Sequence, residues 1–268
     1  MKYIIQSVML TAILLIAMSC QRNAITGRKQ LALVPESEAQ SLAAGQYQSF
    51  LNTNKVVTGN AEALMVKRVG ERIVTAIKNY YQQKGLSNEL SGYSWEINLV
   101  NDKQMNAWCM PGGRIVVYTG ILPVTKNEAG LAVVMGHEIA HALARHGSER
   151  MSQALLQQGL GAGISIAMSS KPQLTQDIFN ASYGIVSGTA MPAFSRSNEL
   201  EADRFGLMFS ALAGFDPREA ISFWTRMSAA GGNANTPSIL STHPSDAERI
   251  AALQKIMAST VQNYYKKS

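Results

Sequence analysis

Cysteine is scarce in this chain: Cys20 and Cys109 are the only two in 268 residues, too few for a disulfide framework. Charged side chains are sparse as well, at 16% against about 25% in an ordinary soluble domain. No basic run exceeds the pairs Arg28-Lys29 and Lys266-Lys267. The net charge of +6 is therefore spread out, and no nucleic-acid partner is expected. Long apolar stretches are missing too. The stretch 155–168 is broken by two glutamines and three glycines, which excludes a spanning helix there. There is no internal repeat and no low-complexity tract. What is plentiful is apolar side chain, 46% of residues, enough for a sizeable core and too much for a disordered chain.

The N-terminus reads as an address. Residues 1–19 carry one charge, Lys2, followed by an apolar run over 8–18. That run is too short to span a bilayer and suits a signal-peptide core. Ala17 and Ser19 fit signal-peptidase pockets, and Cys20 directly after them resembles a bacterial lipobox, whose thiol takes the lipid. The ordinary alternative is a signal peptide with a chance cysteine. Gln21 follows, not the Asp that retains some lipoproteins at the inner membrane, which tilts the expectation to the outer membrane. The expected organisation is a lipoprotein signal peptide at 1–19, a lipidated tether and N-terminal helix at 20–58, and a catalytic domain at 59–268.

Helical periodicity and capping signals predict helices from 35 to about 51 and from Asn60 to about Gln83, the latter closed by Gly85. Alternation predicts strands at 95–100, 107–110 and 114–118. Thr125-Lys126-Asn127-Glu128 reads as a capping box and Gly147 as a C-terminal cap, giving a helix over 126–146. Later helices follow from Ser195 or Ser197 to Gly214, from Pro217 to about Ala230, and from Pro244 onward. The Gly-rich 155–170 segment reads equally as a lid or as a packed helix pair.

Within the 126–146 helix lies His137-Glu138-Ile139-Ala140-His141. Four residues advance a helix by about 400°, so both imidazoles point the same way and can hold one zinc ion. Glu138 points about 100° away, close enough to take a proton from an attacking water. Buried without a ligand, this trio would be costly.

A third protein ligand is needed. Ala144 and Gly147 stand where a metzincin has glycine and histidine, so that pattern fails. His146, five residues after His141, should face elsewhere as an exposed last-turn histidine. Glu199 and Asp203 share one helix face, whereas Glu201 points away and reads as a solvated charge. Glu199 is assigned as the ligand and Asp203 as the carboxylate that orients a histidine, His137.

These motifs resemble the HtpX and CAAX-prenyl-protease family of zinc endopeptidases (peptidase family M forty-eight). So do Asn106-Ala107 with Pro111-Gly112-Gly113, Gly214-Phe215-Asp216-Pro217, and Thr242-His243-Pro244 with Arg249-Ile250. The likeness covers about residues 22–258 and points to the periplasmic lipoprotein branch. It implies an α+β, mainly helical, zincin-like (gluzincin) fold with a small antiparallel sheet, one zinc ion, and endopeptidase activity on unfolded or misassembled envelope proteins. It also implies Glu199 as third ligand, in agreement with the spacing. Zincins take substrate as an added strand, which makes Asn106, Ala107, Trp108 and Cys109 the candidate substrate edge; a plain buried hairpin is the alternative. His243 belongs to the resemblance as well. It either occupies the fourth metal position and holds the enzyme off, or donates to the oxyanion during catalysis. The rival functions are a chaperone-like lipoprotein that rarely cuts, and a peptidoglycan amidase. Oligomeric state is not legible.

Overall fold

A computed structural model describes residues 20–158, 172–183, 194–230, 239, 243 and 247–266. The expected signal peptide, most of the Gly-rich segment and the start of the last helix at Pro244 lie outside the described residues.

A four-stranded sheet sits at the centre. Its strands are β3 (Val56–Val57), β4 (Glu96–Val100), β5 (Ala107–Met110) and β6 (Arg114–Tyr118), in the order β3-β4-β6-β5. β5 pairs with β6 antiparallel, with Trp108 opposite Val116, and β3 pairs with β4 antiparallel. The fold is the mainly helical, zincin-like one expected, but β4 and β6 run parallel, with Ile97 opposite Ile115. The excursion through β5 carries the chain past the sheet edge before β6 returns beside β4.

Successive strand residues point to opposite faces, and here both faces are buried. Leu99, Ala107, Cys109, Ile115 and Val117 enter one core. Val100, Trp108, Met110, Val116 and Tyr118 enter the other. The second core is covered by α1 (Glu36–Thr53), which contributes Ala39, Ala43 and Tyr47. The first is covered by α2 (Ala61–Gln83), whose Val66, Val69, Ile73 and Ile77 form its buried stripe. Asn60 caps α2 by accepting from Ala63 N, and Gly85 follows it at φ 70°, both as the sequence predicts. Each fully buried Ile or Leu contributes roughly 1.5–3 kcal/mol, so the sheet is a rigid platform.

After the short α3 (Leu122–Thr125), α4 (Glu128–Leu143) runs across that platform. The expected capping box is replaced by a different cap. Lys126 turns the chain at φ 63°, and Asn127, not Thr125, accepts from Gly130 N. The far end also differs. Arg145 adopts the left-handed conformation at φ 57° and ends the helix, and α5 (His146–Gln157) starts immediately. Gly147 therefore lies inside α5, where a Cβ would meet the Tyr183 ring.

α6 (Pro172–Tyr183) packs on α5, and α7 (Arg196–Leu212), capped by Ser195, packs along α4. Gly136 and Gly206 set that last crossing. A Cβ on Gly136 would lie 2.7 Å from Gly206 O, and one on Gly206 2.7 Å from His137 N. No other residue allows the backbones so close. Ser210 Oγ adds a hydrogen bond to Ala132 O at 2.8 Å. α8 (Glu219–Ala230) and α9 (Ala247–Tyr264) complete the first core with Phe223, Trp224 and Leu253.

The segment after Cys20, expected to be a tether, is a packed hairpin of β1 (Cys20–Arg22) and β2 (Lys29–Leu31). Asn23 makes it so: its side-chain oxygen accepts from Ile25 N and Thr26 N, and its amide donates to Leu143 O at 2.9 Å. That carbonyl is one of the orphans at the end of α4. No described helix is long and apolar enough to cross a membrane.

Candidate active site

The Gly136–Gly206 crossing brings the inner faces of α4 and α7 together. His137, Glu138 and His141 from α4 meet Glu199 and Asp203 from α7, and His243 joins from a loop; all six are at most 5% exposed. His137 Nε2 and His141 Nε2 lie 3.1 Å apart. Glu199 Oε1 is 3.4 Å from His141 Nε2, and Glu199 Oε2 is 3.5 Å from His137 Nε2. His243 Nδ1 lies 3.3 Å from His137 Nε2 and 2.9 Å from Glu199 Oε1.

One ligand atom from each of His137, His141, Glu199 and His243 lies within 4.8 Å of all the others, and the closest approaches are 2.9–3.5 Å. Ligands at about 2.0–2.1 Å from a central ion are separated by about 3.3 Å. The residues therefore fit one small divalent cation. The buried oxygens agree: Glu138 Oε1 accepts no hydrogen bond among the described residues, and Glu199 Oε2 has no aligned hydrogen bond, only the ion-pair contacts of Arg249 Nη1 at 2.9 Å and His137 Nε2 at 3.5 Å. Burying the Glu138 oxygen that way is expensive unless a cation or a reacting group supplies the missing partner.

The electrostatics keep Glu199 ionised. Burial alone would push its carboxyl up, but His243, His137 and His141 outweigh it and hold the group far below the usual range. Glu138 differs. Burial pushes it up, only partly offset by His243 and His137, which suits a carboxylate that must accept a proton. Its Oε1 lies 3.8 Å from His243 Nε2.

Each imidazole of α4 is backed by a further chain of groups. His137 Nδ1 lies 2.9 Å from Asp203 Oδ1, the position the sequence predicts. The N–H is not fully aligned on that oxygen. Asp203 is in turn gripped by Arg249 from α9 at 2.7 and 2.6 Å. The Arg249 guanidinium lies over the Trp224 ring at 4.1 Å, and Trp224 packs on His137. Sequence reasoning missed the role of Arg249, although the Arg249-Ile250 pair was part of the resemblance.

Behind His141 the sequence-based expectation fails. His146 is buried rather than exposed, and its Nδ1 is 2.9 Å from His141 Nδ1. Glu201 is not a free solvated charge: it lies 2.7 Å from His146 Nε2 and 3.1 Å from Arg28 Nε. The physical reason is the Arg145 break. The expectation that His146 faces elsewhere assumed a continuous helix, and the left-handed residue redirects the chain so that His146 turns back toward His141.

Asn106, Ala107, Trp108 and Cys109 line the same cleft as Glu138, His141 and His243. Trp108 also packs edge-on against Phe50 and Tyr47. Burial pushes the Cys109 thiol well up, so it is a small core residue rather than a reactive one. Cys20 is exposed, and both cysteines are free.

The family model described as "Peptidase family M48" matches residues 61–257. The chain belongs to that family. It is 35% identical over 193 residues to the mitochondrial metalloendopeptidase OMA1 of Schizosaccharomyces pombe, covering 72% of this chain and 52% of that protein. Human metalloendopeptidase OMA1 is 28% identical over 258 residues, 89% of this chain and 46% of its own length. The Escherichia coli beta-barrel assembly-enhancing protease is 35% identical over 161 residues, 57% of this chain and 32% of its own. The chain thus spans about half of the OMA1 proteins and a third of the bacterial relative. The expected family is right, but these relatives are not of the HtpX or CAAX-prenyl-protease branch. The OMA1 relatives are named as metalloendopeptidases and the E. coli relative as a protease.

Proposed function

We propose that this M48 protein is a zinc-dependent endopeptidase that cleaves unfolded or misassembled envelope proteins. The observation that carries the reading is the buried cluster of His137, His141 and Glu199 with His243, set beside the Glu138 oxygen that accepts no hydrogen bond. Two imidazoles, a carboxylate and one replaceable position are the donor set of catalytic zinc rather than of calcium or magnesium. When bound, zinc polarises the scissile carbonyl and lowers the pKa of water.

The chain's own residues do the rest. Glu138 takes the proton of the attacking water and delivers it to the leaving amine, aided by the raised proton affinity that burial gives it. Asp203 and Arg249 fix the His137 ring. β5, at the end of the sheet order, offers its backbone to an extended substrate, with Asn106 to Cys109 as the contact strand. Backbone pairing reads an extended chain rather than a sequence, which suits unfolded clients.

His243 is read as a gate. Its Nδ1 is 2.9 Å from Glu199 and belongs to the same donor set, so it takes the position that the attacking water and substrate need. The E. coli relative, named for enhancing beta-barrel assembly, supports an envelope setting. Cys20 would carry the lipid that anchors the protein on the periplasmic side, at the outer membrane.

The test is metal analysis with proteolysis of an unfolded substrate such as casein. Wild type should bind one zinc and cut, and a chelator should stop it. Glu138→Gln should keep zinc and lose roughly 10²–10⁴ in rate. Cleavage by this variant at the wild-type rate would remove Glu138 as the base. Absence of chelator-sensitive cleavage in wild type would favour a binding role.

A further inference from the structure

We propose that the N-terminal hairpin is a working part of the metal site: Arg28, through Glu201 and His146, positions His141 as a ligand. This rests on the metal reading above and adds three positioning residues to it.

The chain of contacts is continuous. Arg28 Nε lies 3.1 Å from Glu201 Oε2, the same oxygen lies 2.7 Å from His146 Nε2, and His146 Nδ1 lies 2.9 Å from His141 Nδ1. With Glu201 ionised and the buried His146 neutral, donor and acceptor chemistry allows one arrangement of protons along it. An arginine only donates, and an ionised carboxylate only accepts. Glu201 therefore accepts from both Arg28 and His146 Nε2–H. A neutral imidazole protonated at Nε2 has its lone pair on Nδ1. His146 Nδ1 thus accepts from His141 Nδ1–H, and the lone pair of His141 is left on Nε2. That is the atom that faces His137 Nε2 and Glu199. The relay selects the ligating tautomer and fixes the ring, as a carboxylate behind a metal-bound histidine does.

The near end is anchored as firmly as the far end. Both terminal nitrogens of Arg28 engage Glu149, at 2.9 and 2.6 Å. Asn23, five residues earlier, holds the end of α4 through Leu143 O. The hairpin therefore grips both the helix that carries His141 and the side chains that orient it. The arrangement repeats the one behind His137, where Arg249 holds Asp203. In each case an arginine from outside the α4–α7 pair sets a carboxylate of α7; Asp203 meets the His137 imidazole directly, and Glu201 reaches His141 through His146.

The experiment measures zinc affinity by competition with a chelating dye, alongside the thermal midpoint of each metal-free protein. Glu201→Ala should weaken zinc roughly 10–100-fold, the usual effect of losing an outer partner. Glu201→Gln should recover part of that, because its carbonyl still accepts from His146. Arg28→Ala, one step further out and on a half-buried side chain, should weaken zinc about 3–10-fold, and Arg28→Lys should fall between it and wild type. Nitrogen-15 NMR of the metal-free histidines should show His141 protonated at Nδ1 in wild type and a tautomer mixture in Glu201→Ala. The relay is overturned if folded variants bind zinc like wild type, or if affinity falls only as far as the midpoint does. Wild type that binds no zinc would instead sink the metal reading, and this proposal with it.

Discussion

Arg249 holds Asp203 with two arms of its guanidinium, Nε at 2.7 Å from Oδ2 and Nη2 at 2.6 Å from Oδ1, and both side chains are almost sealed from solvent. Burial would push the Asp203 carboxyl up, yet Arg249 and His137 together hold it below its ordinary value. A third arm lies 2.9 Å from Glu199 Oε2. One arginine thus underlies two of the three carboxylates of α7, Glu199 and Asp203.

Arg249→Lys should therefore be far from conservative. Lysine keeps the charge but cannot fork onto Asp203 or lie flat on Trp224. Stranding a buried carboxylate costs about 3–5 kcal/mol, which chemical denaturation would read directly. Asp203→Asn, which keeps the shape, should weaken zinc roughly 10–100-fold. Near-wild-type stability in Arg249→Lys would mean that water reaches this pair.

His243→Ala separates two roles with opposite signs. As a gate, its loss opens the fourth position, and the variant should cut unfolded substrate faster or less selectively. As an oxyanion donor, its loss should reduce turnover about 10²–10³-fold. The 2.9 Å approach of His243 Nδ1 to Glu199 favours the gate. X-ray absorption of the resting zinc protein should then count three imidazoles; a count of two removes the gate.

Glu36 supplies a pH dependence away from the metal. Burial pushes its carboxyl from 4.5 up to about 7, only partly offset by Arg145, whose Nε is 3.5 Å away. Between those values the folded state holds a proton that the unfolded chain has lost. Stability therefore falls as pH rises through about 4.5 to 7, by on the order of 3 kcal/mol in all. Glu36→Gln should match wild type near pH 4.5 and exceed it at pH 8. A stability difference that stays flat across that window would show Glu36 to be solvated.

The parts of the site legible in the sequence are those governed by local spacing. His137 and His141 share a face because a helix repeats every 3.6 residues, and Glu199 and Asp203 do so for the same reason. Asn60, Gly85 and Ser195 mark helix ends through their own side chains or conformational freedom. What escaped was set by tertiary contact. Arg145 ends α4 without being a glycine, held at a positive φ where it reaches Glu89 at 3.2 Å. That one residue made a buried His146 look like an exposed one. Arg28 reaches Glu201 across 173 positions and Arg249 reaches Asp203 across 46; no periodicity encodes either.

Three residue steps, through Gln21 and Arg22, lead from Cys20 to Asn23, whose amide is fixed to the last turn of α4. That is at most about 11 Å of chain. An acyl group on Cys20 would consequently leave the enzyme no leash. The cleft would ride at the bilayer surface with a working radius no larger than the domain itself. Clients stalled at the membrane would come within reach, and those diffusing freely through the compartment would pass by.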